Sequence, residues 1–204
     1  MNLEKVEKLY SENLRKFGID PRSVGWTREG SQQLRFHKLL QIVQNKSEPF
    51  TLNEVGCGYG ELYKYCKETG YNIQKYYGYD ISTDMLEAAR KYIGGPEVVL
   101  YHKSRLESQA DYAVASGIFN VKFDEDDQKW EAYVRDMIVN MSQFSVKGFA
   151  FNALTTYVDY KAPGLYYADP FYYFDFCKKN ISRYVTLLHD YDLYEWTMLV
   201  TKPA

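Results

Sequence analysis

Residues 51–60 read TLNEVGCGYG. A short apolar run reaches an acid, Glu54, and glycine then recurs at alternate positions, Gly56, Gly58 and Gly60. The pattern predicts a strand over 50–55, a tight turn and a helix over 60–68. Glycine in such a turn lets the backbone approach a ligand with no Cβ in the way. Three ligands use a turn of this kind: a nucleotide phosphate, a dinucleotide and S-adenosylmethionine. A phosphate loop follows its last glycine with Lys and then Ser or Thr, whereas Glu61 and Leu62 stand here. A dinucleotide turn wants its third glycine where Glu61 puts a carboxylate against a pyrophosphate. Glu54 would repel a phosphate too, but it suits a ligand that carries an ammonium group. The next run, IQKYYGYD (73–80), reads as a second strand ending in Asp80, where a carboxylate accepts the hydroxyl hydrogens of a ribose. Two acids around a glycine turn therefore favour S-adenosylmethionine.

Outward from this stretch, helix and strand patterns alternate. Leu3, Val6, Leu9, Tyr10, Leu14 and Phe17 recur at helical spacing and Gly18 stops them; a second helix is expected over Glu29–Gln44. Ser82 is placed to cap the helix STDMLEAARKYI, which Gly94 and Gly95 close. Strands are expected at 97–102, 111–116, 148–154, 183–188 and 193–201, with helices from about Asp127 and near 170–179. Such alternation implies an α/β fold with a mostly parallel sheet covered on both faces. The chain reads as one domain, 1–204, with residues 1–46 as a helical cap or lead-in and 47–204 as the α/β core.

Composition narrows the function classes. A chain of 204 residues can bury a core without staples, and a net charge of -2 offers no bulk attraction to nucleic acid. Three cysteines, Cys57, Cys66 and Cys177, have no metal-ligand spacing and suit a reducing cytoplasm; no metal site is expected. No apolar stretch approaches the roughly 20 residues that span a bilayer. The 21 tyrosines can fill a core or line a pocket.

NEVGCGYGEL followed by YYGYDISTDMLEAAR resembles the first two motifs of class I S-adenosylmethionine-dependent methyltransferases. The likeness runs over roughly residues 28–200 and is strongest over 51–90. It implies a seven-stranded Rossmann-like sheet with an N-terminal helical extension, and S-adenosylmethionine as cofactor. By that resemblance Glu54 lies near the cofactor's amino group, with Gly56, Cys57, Gly58 and Gly60 along the methionine end. Asp80 takes the ribose, Ile81 and Met85 pack on adenine, and Ser104 edges it. Many relatives place an acid after the third strand to receive the adenine amino group, where this chain has Lys103–Ser104. Ser116 stands close to methyl delivery, and Trp26 and Arg35 complete the cofactor set. For Arg28 and Arg35 a structural ion pair or simple exposure is the equal alternative.

The chain lacks an Asn-Pro-Pro-Tyr motif and a Pro-Cys pair, which points away from nucleic-acid substrates and toward a small-molecule acceptor. Oxygen is the expected acceptor atom, and the overall look resembles small methyltransferases of bacterial natural-product and surface-glycan pathways. His189, beside Asp190, is the candidate general base, with a plain turn residue as the alternative. Asn120, Tyr157, Tyr166, Tyr167 and Arg28 are candidate acceptor-binding residues, although the tyrosines serve core packing equally well. An N-methyltransferase, another transferase on the same scaffold and a non-catalytic binding subunit are the competing readings.

Overall fold

The computed structural model describes residue 1 and residues 3–203, so residues 2 and 204 of the expected domain lie outside the described residues. A seven-stranded sheet carries the chain: β1 (Phe50–Val55), β2 (Ile73–Asp80), β3 (Val98–His102), β4 (Ala110–Ala115), β5 (Ser145–Leu154), β6 (Tyr184–Leu188) and β7 (Glu195–Thr201). Its order is β3-β2-β1-β4-β5-β7-β6. The first five strands pair in parallel, and β7 runs antiparallel to both β5 and β6. The order reverses between β1 and β4, which opens a crevice beyond their carboxyl ends.

Helices α1 (Glu4–Phe17), α2 (Ser31–Leu39), α3 (Glu61–Glu68), α4 (Thr83–Tyr92), α5 (Asp127–Gln143) and α6 (Pro170–Asn180) complete the fold. Strand alternation divides the core between the two faces. Trp196, Met198 and Val200 of β7 join α5 and α6 on one face, while Leu199 joins the side holding Leu39, Leu62 and Leu86 of α2, α3 and α4. Local chemistry sets several helix starts. The Ser82 hydroxyl accepts from the Met85 amide at 3.1 Å, and Asp126 and Asp169 cap α5 and α6.

The expected helix over Glu29–Gln44 is shorter. Gly30 has φ 70°, so α2 starts at Ser31, and the chain tightens into a 3-10 turn over Leu40–Ile42 before Val43 becomes extended. Residues 111–116 and 148–154 are likewise found as longer or shifted strands, Ala110–Ala115 and Ser145–Leu154.

Candidate functional site

A cleft of about 770 Å³, partly open to solvent, lies over the carboxyl ends of β3, β2, β1 and β4. The turn after β1 forms its floor. Gly56 has φ 69°, and a Cβ there would lie 2.3 Å from Ile118 Cγ2, so only glycine fits. Gly56 and Gly58 both line the cleft. On the β4 side a Cβ on Gly117 would sit 2.5 Å from Cζ2 of Trp26, whose ring closes that wall.

Asp80 lies at the centre. One carboxylate oxygen accepts from the Gly58 amide and the other from the Ser82 amide, each at 2.8 Å. A carboxylate offers about four lone-pair sites, so acceptor capacity remains for a ligand. Burial raises its carboxyl above the ordinary range, opposed by the amides of Ser82, Gly58 and Ile81. No Lys or Arg pairs with it among the described residues. Ser116 Oγ, also on the cleft wall, is buried with no hydrogen-bond partner among the described residues.

Helix α1 forms the roof. Leu3, Val6, Glu7 and Tyr10 present one face to the cleft, at i, i+3, i+4 and i+7 spacing. The helix is pinned by Lys5 to Asp124 at 2.6 Å, by Ser11 to Ser82 at 2.9 Å and by Arg15 to Asp84 at 2.8 Å. Burial and the nearby Asp80 charge push the Tyr10 hydroxyl up to about 12. The sequence reading assigned no site residue to this helix, nor Val24, Ile118 or Tyr133, which also reach the cleft. One usable signal was the single acid, Glu7, within an otherwise apolar stripe.

Of the residues singled out from sequence, Gly56, Gly58, Asp80, Ile81, Met85, Ser104, Ser116 and Trp26 converge on the cleft. Others do not. Glu54 points to the opposite face of β1 from Val55, and the Tyr76 hydroxyl donates to its carboxylate at 2.5 Å. Burial pushes the Glu54 carboxyl up to about 8, with the Tyr76 hydrogen bond opposing and the Asp80 charge adding. Its carboxylate therefore does not line the cleft. Cys57 is buried behind the turn, its thiol raised by burial, and Gly60 caps α3 against Ile93.

Arg35 is a structural residue. Its guanidinium donates from Nε and Nη2 to Glu195 at 2.6–3.0 Å and stacks 3.6 Å from the Trp26 ring centroid, so it holds that wall from behind. Arg28 is exposed and pairs with Asp192, its Nη1 also donating to the Asp192 carbonyl at 2.7 Å. Asn120 is buried, and its Oδ1 accepts from the Leu154 amide at 3.1 Å. Tyr166 is core, its hydroxyl 2.8 Å from that of Tyr173, while the Tyr167 hydroxyl accepts from the Ala162 amide at 2.8 Å.

His189 is exposed after β6 and touches the exposed Tyr157 ring, centroids 5.8 Å apart. It shares the cleft's rim, but β6 lies three strand spacings beyond β4, roughly 14 Å. His189 does not line the cleft, and that lateral offset sets it apart from Ser116 and Gly117. Among the described residues no cluster of three His, Cys, Asp or Glu is placed to hold a metal, and no helix is long and apolar enough to cross a membrane.

Comparisons with known proteins agree with this geometry. A sequence family described as a methyltransferase domain matches residues 53–126. Rv1506c of Mycobacterium tuberculosis H37Rv, named provisionally as a methyltransferase, is 42% identical over 168 residues, covering 81% of this chain and 100% of that protein. Among solved structures, magnesium protoporphyrin IX methyltransferase from Synechocystis PCC 6803 with bound SAH superposes with TM-score 0.71 at 12% identity, covering 99% of this chain and 100% of that one. Human N-acetylserotonin methyltransferase in complex with SAM gives 0.65 at 13%, over 100% of this chain and 61% of that one. At such identities the likeness is one of fold.

Proposed function

The chain belongs to the class I S-adenosylmethionine-dependent methyltransferases, and from that premise we propose that it methylates an oxygen atom of a small molecule. The cleft residues suit the cofactor. Ser116 Oγ is a buried hydroxyl with no partner among the described residues, Asp80 keeps acceptor capacity that a ribose diol can use, and the glycine turn leaves room for a close backbone approach. Ile81 and Met85 supply an apolar flank. When bound, the cofactor supplies a methyl group on a positively charged sulfur that is already electrophilic.

Alignment is then the protein's main task, and it can supply on the order of 7–11 kcal/mol. Asp80 fixes the cofactor laterally, while Trp26, held by Arg35, walls the β4 end. The observation that carries the oxygen assignment is the chemistry of that end. Ser116, Gly117, Ile118 and Trp26 line it, and none of them is a general base. An acceptor there must arrive already nucleophilic, as a carboxylate or an acidic hydroxyl does. An amine meets that condition only once it has lost a proton, which an aliphatic amine with a pKa of ~10 mostly keeps at neutral pH, so nitrogen is the second reading. The roof formed by α1 favours a small acceptor, and the names of magnesium protoporphyrin IX methyltransferase and N-acetylserotonin methyltransferase show small acceptors on this fold.

The test is incubation of the protein and S-adenosylmethionine with fractionated small-metabolite pools, read by mass spectrometry. The expected result is a methylated product and S-adenosylhomocysteine in equal amounts, the product being an ether or an alkali-labile ester. A methylamine product would move the acceptor to nitrogen. Turnover only with added protein or nucleic acid would overturn the small-molecule reading.

A further inference from the structure

We propose that Glu7, on the roof helix α1, is the acceptor for the exocyclic amino group of the cofactor's adenine. The inference rests on S-adenosylmethionine occupying the cleft as described above. It follows from the order of the strand ends. The cleft runs from the loop after β3, past Asp80 at the end of β2 and the glycine turn after β1, to Ser116 and Gly117 after β4. That is three strand spacings, roughly 14 Å. In sheets of this kind the glycine turn receives the group attached at the ribose 5′ carbon, and the acid at the end of β2 holds the ribose hydroxyls. With the sulfur-bearing chain on the β1–β4 side, the base extends the other way, across Ile81 toward β3.

Glu7 stands at that end. It lines the cleft and also an adjoining depression bordered by Ile81, His102, Lys103 and Ser104. Its position is fixed by the fold, because Lys5–Asp124, Ser11–Ser82 and Arg15–Asp84 hold α1 on both sides of it. Its carboxylate has no hydrogen-bond or ion-pair partner among the described residues, and the cation beside it, Lys103, is turned to Glu107. Glu7 and Asp80 are the two acids of the cleft lining. The bound cofactor has two uncharged donor sets, the ribose diol and the adenine amino group. Asp80 meets the first, which leaves Glu7 for the second. The strand-end loop supplies only Lys103 and Ser104 there, so a carboxylate from a helix far away in sequence does what that loop does not.

The experiment is titration calorimetry with S-adenosylhomocysteine and with its analogue bearing hydrogen in place of the 6-amino group. Wild type, Glu7→Ala and Glu7→Gln are compared, with thermal melting to show that each is folded. Wild type should prefer the amino form by about ten- to hundredfold, as a hydrogen bond to a charged group allows. E7A should lose that preference by binding the amino form more weakly while holding the analogue unchanged. E7Q, whose amide oxygen still accepts, should keep part of it. Equal weakening of both ligands, or no change in either, would overturn the assignment. Failure of folded wild-type protein to bind either ligand would instead overturn the cofactor reading itself.

Discussion

Two stretches of the same rim treat charge in opposite ways. Beyond β7 and β6, charged side chains find partners within the protein: Arg35 with Glu195, Lys38 with Asp190 and Arg28 with Asp192. Over β2 and β1, among the described residues, Asp80 is held by backbone amides and the Glu7 carboxylate has no hydrogen-bond or ion-pair partner. The first region is electrostatically complete without a ligand. The second holds two acids whose carboxylates have no ion-pair partner among the described residues, Lys103 being turned to Glu107, and so keeps acceptors for the donors of a ligand. Charge left unbalanced inside a shaped cleft thus separates a binding site from a surface of the same polarity.

The largest expected effect probes the completed side. Arg35→Met would leave the buried Glu195 unpaired, and it should destabilise the protein by about 3–5 kcal/mol in urea unfolding. Arg28→Ala, at an exposed pair, should leave the unfolding midpoint unmoved. Equal effects of the two would erase the distinction between a buried network and a surface pair.

The next effect is a pH slope. Folded Glu54 holds its proton up to about pH 8, whereas the unfolded carboxyl releases it near 4.5. The folded state therefore binds more protons between these values, and stability falls as pH rises through that window, then levels off. Glu54→Gln has no proton to lose there. The stability difference between wild type and E54Q should shift against wild type by a few kcal/mol between about pH 5 and about pH 9. Parallel profiles would show that this carboxyl titrates normally.

On the ligand side, Asp80→Ala should weaken S-adenosylhomocysteine binding by about ten- to hundredfold, the worth of a charge-assisted hydrogen bond. Calorimetry on the folded variant checks it, and unchanged affinity would remove Asp80 from the site. The smallest effect belongs to His189→Ala. With the imidazole exposed against Tyr157, turnover of an identified acceptor should stay within about threefold at every pH. A loss in the 10²–10⁴ range typical of a missing general base would return His189 to the chemistry.

How far the sequence could be read follows the same division. The strands at 50–55 and 73–80, the turn between β1 and α3 and the Ser82 cap are local features, written in neighbouring residues, and they were legible. So was the convergence of Gly56, Gly58 and Asp80, since parallel strands in adjacent register bring their ends together. Glu54 was misplaced because its direction depends on which side of β1 faces Tyr76, a matter of pairing with β2. Arg35 meets Glu195 across 160 residues, and nothing local in either segment announces the pair. The cleft-lining residues of the roof were missed for a related reason. An amphipathic helix declares an apolar face but not what that face covers, so the helical spacing of Leu3, Val6 and Tyr10 does not announce the cleft beneath them.

The central claim is that the cleft over β1 and β2 holds S-adenosylmethionine with its ribose on Asp80. A crystal structure with S-adenosylhomocysteine tests it most directly. The account predicts both ribose hydroxyls within hydrogen-bond distance of the Asp80 carboxylate, roughly 2.5–3.0 Å. It also predicts the homocysteine over Gly56 with Ser116 beside it. A ribose held anywhere else, or a ligand lying toward β6 and His189, would contradict it.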